Sequence, residues 1–127
     1  DLEQVIPRKA SHCVSFLAQA ALDALAPYKS RMGALRVNYA NGALTLAIHN
    51  NDHDIETSLP CKLLSADFMT DPIAFNPGFL RSIIQAVARK GEDVTVEMGF
   101  NIPTTPAKIT MPADPGFVGA LMPVYLS

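Results

Sequence analysis

Asn41-Gly42, set between two runs of alternating hydrophobicity, commits the middle of this chain to an antiparallel hairpin. Both central residues of a type I′ turn need positive φ, which asparagine tolerates and glycine adopts freely. Before the turn, Leu35, Val37 and Tyr39 share one face of a strand over residues 34–40, with Arg36 and Asn38 on the other. After it, Leu44, Leu46 and Ile48 continue the pattern over residues 43–49. A two-residue period fixes which face is buried, so register is strongly specified here.

The flanking segments supply helices and further strands. Residues 2–6 alternate and stop at Pro7, a short strand. Residues 11–25 carry Val14, Leu17, Ala18, Ala21, Leu22 and Leu25 at the spacing of an amphipathic helix, closed by Pro27. Residues 55–64 predict a strand in which Pro60 marks an edge or a bulge. Residues 73–75 are extended, and Asn76-Pro77 opens a second helix, asparagine as N-cap and proline at the first helical position. Phe79, Leu80, Ile83, Ile84 and Val87 form its buried stripe, and Gly91 ends it. Strands over 94–98, 107–111 and 117–122 complete the order β-α-β-β-β-β-α-β-β-β. Hairpins interrupted by two helices predict an α+β domain, with both helices packed on one face of antiparallel sheet.

At 127 residues, nearly half of them apolar, residues 1–127 form a single domain with enough material for a core. Neither a membrane-spanning run nor an export signal is visible in the sequence. The chain starts at Asp1, and excision from a longer chain is the favoured expectation. Residues 116–126 are uncharged and apolar. Left exposed, such a tail invites association, so it is expected to form a terminal strand, line a groove, or both. Pro123 bars a central strand beyond it, sending Val124, Tyr125 and Leu126 past the sheet edge.

Formal charge is −2, which argues against a free-standing, strongly basic nucleic-acid binder. The charge is nonetheless uneven. Arg8 and Lys9 lead the first helix, the second carries Arg81, Arg89 and Lys90, and the acids fall mainly in strands and turns. A mildly basic helical face would touch phosphates without reading bases. Ordinary solvated helix positions explain the same residues equally well.

No constellation in the sequence looks like an active site. His49 and His53 have an H-x-x-x-H spacing, but it straddles a predicted turn in which Asn50, Asn51 and Asp52 serve turn chemistry. No metal or cofactor is implied. His12 and Cys13 are adjacent and would not face each other on a helix. Cys13 and Cys61 are isolated and are expected to be reduced, mostly buried thiols.

Five stretches in order resemble the third, C-terminal domain of the bacterial sliding clamp, the beta subunit of DNA polymerase III. They are Val5-Ile6-Pro7, Gly42 to Leu46, Phe75 to Leu80, Lys90 to Val94, and Pro106 to Ile109 followed by Leu121-Met122-Pro123. The resemblance spans essentially the whole chain. It implies a non-catalytic processivity factor, cytoplasmic and nucleoid-associated, whose three-domain chain closes as a head-to-tail homodimeric ring around duplex DNA. Helices would line the hole, with Arg8, Lys9, Arg81, Arg89 and Lys90 facing DNA. Leu25, Ala26 and Tyr28 would stand at the ring seam.

The resemblance also implies a hydrophobic pocket for short peptide motifs of polymerase and clamp-loader subunits. Its lining would take Gln4 and Val5 from the first strand and Asn76 and Phe79 from the second helix. Thr104 and Pro106 would come from the strand before the last, and Ala120, Met122, Pro123, Val124, Tyr125 and Leu126 from the tail. Gln4 stands where the family commonly has arginine. Val124, Tyr125 and Ser127 replace its usual methionine–arginine ending. The alternative is a divergent clamp-like domain, of a mobile element or another protein, that keeps fold and pocket without forming a replicative ring.

Overall fold

Two antiparallel sheets share one core, and two helices pack on it. The structure is a computed structural model that describes residues 12–65, 67–68, 73–89, 94–100 and 106–124. The expected strand over 2–6 and the Gly91 helix stop lie outside these residues. In chain order the elements are β1 (His12–Leu17), α1 (Ala18–Leu25), a 3-10 turn (Ser30–Met32), β2 (Leu35–Ala40), β3 (Ala43–His49), β4 (Asp54–Pro60) and β5 (Lys62–Leu63). Then follow β6 (Ile73–Phe75), α2 (Pro77–Ala88), β7 (Thr95–Phe100), β8 (Ala107–Met111) and β9 (Asp114–Leu121). One sheet has the order β5-β1-β7-β8-β9 and the other β4-β3-β2-β6. This is the α+β arrangement expected, with the sheet divided in two. No helix among the described residues is long and apolar enough to cross a membrane.

The central hairpin follows its turn chemistry. Asn41 and Gly42 have φ of 52° and 81°, and β2 pairs with β3 from Ala40↔Ala43 to Arg36↔Ala47. The expected helix over 11–25 is corrected: residues 12–17 are strand, and helix begins at Ala18. Val14 and Phe16 are buried while Cys13 and Ser15 are less so, a period of two. Six residues of β1 pair in register with β7, from His12↔Phe100 to Leu17↔Thr95. Val14, Leu17 and Ala18 satisfy helical spacing as well, and the long-range ladder decides between the two periods.

Pro60 ends β4 rather than bulging it. The chain then changes sheets, β4 pairing with β3 and β5 with β1. This splits the strand expected over 55–64, and proline suits the edge position at which the split occurs. Strand β7 runs on to Phe100, and β9 starts at Asp114 because Met111↔Asp114 pair directly across the turn.

The core is continuous, from Val14 and Val96 through Leu35, Leu46 and Ile84 to Ile109. Phe75 and Phe100 meet within it at 6.0 Å between ring centroids. An internal void of about 10 Å³ between Ala21, Leu25, Leu46 and Ile84 leaves room for about one water.

Gly78 is fixed by close approach. A Cβ there would lie 1.7 Å from Ser30 Oγ and 3.1 Å from Ser30 Cβ. Gly78→Ala is therefore expected to destabilise by about 1–2 kcal/mol, overpacking outweighing the better helix propensity of alanine. Adding Ser30→Ala, which removes the clashing oxygen, should recover most of that loss. Denaturant unfolding of the two single variants and the double variant checks this. Additive losses would contradict the close approach.

Candidate peptide-docking groove

Two chain segments leave the two sheets side by side and frame a groove between them. One is the step from β6 into α2. Asn76 Oδ1 accepts hydrogen bonds from the amides of Gly78 at 2.9 Å and Phe79 at 3.1 Å, capping α2. It also accepts from Ser30 Oγ at 3.0 Å, which ties the cap to the 3-10 turn. The other segment is the exit from β9. Beyond Leu121 the chain turns at Pro123, and the Val124 amide donates to the Ala74 carbonyl at 2.7 Å. That bond joins the end of the five-stranded sheet to β6 of the four-stranded one. It also occupies part of an otherwise open strand edge.

The groove has a volume of about 520 Å³. Asn76, Phe79, Ser82 and Ile83 line it from the helix side, and Ala120 through Val124 from the other. Phe79 is 64% exposed and Met122 63%, large apolar side chains held out of the core at the groove mouth. Phe79 thus leaves the buried stripe of α2 expected from its spacing. Leu80, Ile84 and Val87 are the buried positions, and Ile83 is half-buried. None of the described lining residues is titratable, so the groove offers apolar surface and a few hydrogen bonds but no acid–base chemistry.

Of the expected pocket residues, Asn76, Phe79, Ala120, Met122, Pro123 and Val124 come together here. Pro106 is exposed, just before the Ala107↔Leu121 pair, and does not line the groove. Gln4, Val5, Thr104, Tyr125 and Leu126 lie outside the described residues. Ser82, Ile83 and Leu121 were missed. Ser82 and Ile83 follow Phe79 by three and four positions, the helical spacing that could have found them.

The other expected surfaces fare differently. Arg81 does not extend into solvent: its Nη2 donates to the Leu25 carbonyl at 2.6 Å and to that of Tyr28. Arg89 is exposed at the end of α2, and Arg8, Lys9 and Lys90 are not among the described residues. At the expected seam Leu25 and Tyr28 are core residues, 1% and 0% exposed, and Ala26 alone of the three stands on the surface. Among the described residues no group of His, Cys, Asp and Glu is arranged to hold a metal. Asn50 Oδ1 instead accepts the amides of Asp52 and His53, building the turn, and His49 Nδ1 pairs with Asp54 across it.

Cys13 and Cys61 carry free thiols. Burial pushes both above the usual thiol range, and the Glu97 charge adds to the effect at Cys13. Raised acidic groups stabilise the fold fully below their unfolded-state value and lose that contribution as pH climbs past it and through the higher folded-state value. The domain should therefore lose stability under alkaline conditions, and at neutral pH both thiols should react with iodoacetamide more slowly than in the unfolded chain. Alkylation rates with and without denaturant check this.

Solved structures place this architecture. The DNA polymerase III beta subunit of Thermotoga maritima superposes with a TM-score of 0.81 at 19% identity, over 100% of this chain and 34% of that one. This is a sliding-clamp domain fold. The Pseudomonas aeruginosa sliding clamp gives 0.79 at 18% identity, over 99% of this chain and 34% of the clamp. The Caulobacter crescentus beta sliding clamp gives 0.74 at 22% identity, covering 99% and 33%. The chain thus spans about a third of the length of the clamps it matches. No family model and no curated protein matches it.

Proposed function

We propose that this chain is the third domain of a replication clamp and docks short apolar peptide motifs in the groove between α2 and the chain beyond β9. The observation that carries this reading is the groove itself, with Phe79 and Met122 exposed at its mouth on a clamp fold. An uncharged groove suits leucine and phenylalanine side chains, and a methionine at its rim can adapt to several partners. In this reading the partners are polymerase and clamp-loader subunits. The parent chain closes a head-to-tail ring on duplex DNA and raises processivity through effective concentration, without catalysing a step. Fluorescence anisotropy of a labelled peptide rich in Gln, Leu and Phe tests it. Saturable binding in the micromolar range is expected, and no binding by the folded domain would count against it.

One observation favours the second reading, a clamp-like docking domain outside a replicative ring. Arg81 turns its Nη2 to backbone carbonyls, so of the two expected DNA-facing cations among the described residues only Arg89, at the end of α2, is exposed. A single exposed cation of this kind contributes little phosphate affinity by itself. Salt-dependent affinity for a labelled duplex separates the two. A measurable slope that Arg89→Gln reduces supports DNA encirclement, and no affinity at low salt supports the docking domain alone.

A further inference from the structure

Helix α1 has no basic residue in its own last turn. Its terminal carbonyls nonetheless attract a cation, because the backbone dipoles leave negative charge there. Arg81 supplies one from the other helix, through Nη2 to the carbonyls of Leu25 and Tyr28. Two more contacts join this connection to the start of α2. Ser30 Oγ donates to Asn76 Oδ1, and Gly78 sits so close to Ser30 that a Cβ there would displace its hydroxyl. Asn76 in turn holds the amides of Gly78 and Phe79. The back of the first two turns of α2 is therefore bolted to residues 25–30, while the front of the same turns carries Phe79, Ser82 and Ile83 into the groove.

Resting on the peptide-docking reading above, we propose that Arg81 is a positioning residue for the groove. It touches no peptide. By completing the end of α1 from α2 it fixes where Phe79 and Ile83 stand, one guanidinium nitrogen bridging two carbonyls of the connection.

Arg81→Met keeps most of the stem and removes the donors. Arg81→Lys keeps the charge but loses the planar guanidinium and its reach. Amide hydrogen exchange of the peptide-free domain is the first readout. Arg81→Met should speed exchange from Gly78 to Ile84 by at least about tenfold while leaving Leu44 and Leu46 of β3 as in the wild type. Its affinity for the labelled peptide should fall about fivefold at a temperature where it is fully folded. Arg81→Lys should lie between the two in both readouts, and duplex affinity should not change. Unchanged exchange in α2 would overturn the proposal. Uniformly faster exchange that includes β3 would reduce Arg81 to general stabilisation, and a selective loss of duplex affinity would return it to a surface cation. Should the wild type fail to bind the peptide, the docking reading falls alone, and the local exchange pattern still decides the role of Arg81.

Discussion

Tyr28→Ala is expected to bring the domain to the edge of unfolding. Tyr28 is 0% exposed, and its hydroxyl lies 2.8 Å from the Leu46 carbonyl and 3.0 Å from Thr57 Oγ1. Thr57 Oγ1 donates its own proton to the Ala24 carbonyl at 2.9 Å, so the tyrosine proton serves Leu46 and Thr57 between them. The pair thereby stitches the end of α1 to β3 and β4. Truncating a buried aromatic to alanine costs about 3–5 kcal/mol, against roughly 5–15 kcal/mol of total stability for an average domain. Tyr28→Phe keeps the ring and removes one hydrogen bond, for about 1 kcal/mol. Denaturant midpoints of the two variants separate packing from hydrogen bonding. A Tyr28→Ala loss below about 1 kcal/mol would contradict its place in the core.

The second large effect is on binding. Met122→Ala should weaken peptide binding about tenfold, and Met122→Asp should remove it, because a carboxylate in an uncharged groove must be desolvated by an apolar ligand. Met122 is 63% exposed, so neither change should move stability by more than about 0.5 kcal/mol. That contrast makes the variant clean: anisotropy titration and thermal unfolding on the same samples should show lost affinity and kept fold. Unaltered affinity would move the docking site away from the chain beyond β9.

The parts of the fold legible in the sequence are those where local chemistry and tertiary structure agree. Asn41-Gly42 and Asn76-Pro77 each demand a backbone geometry that their neighbours also need, and both stand where expected. The first helix shows the opposite case. Residues 12–17 satisfy two periods at once, and only the β7 ladder, some eighty residues on in sequence, selects the strand. Pro60 signalled an edge, but sequence alone does not tell that the chain crosses there to a second sheet.

The groove was legible from the apolar tail, since uncharged residues around Pro123 had to be sheltered or used. Phe79 was harder. Its helical spacing assigns it to the buried stripe, and only the packed structure shows that the stripe ends one position short of it. Arg81 could not be read at all, because a sequence records a charge but not the two carbonyls that consume it. Of the seam residues that the resemblance implies, Leu25, Ala26 and Tyr28, the first and last have side chains in the core of this domain and Ala26 is exposed, a division that family position does not give.

The most direct measurement is an amide chemical-shift titration of the isotope-labelled domain with the unlabelled peptide. Fast- or intermediate-exchange shifts are expected to concentrate at Phe79, Ser82, Ile83, Ala120, Leu121, Met122 and Val124, with saturation at one peptide per domain. Shifts concentrated elsewhere, on the β4 edge or the exposed turn at Ala26, or no shifts from a folded domain, would contradict it.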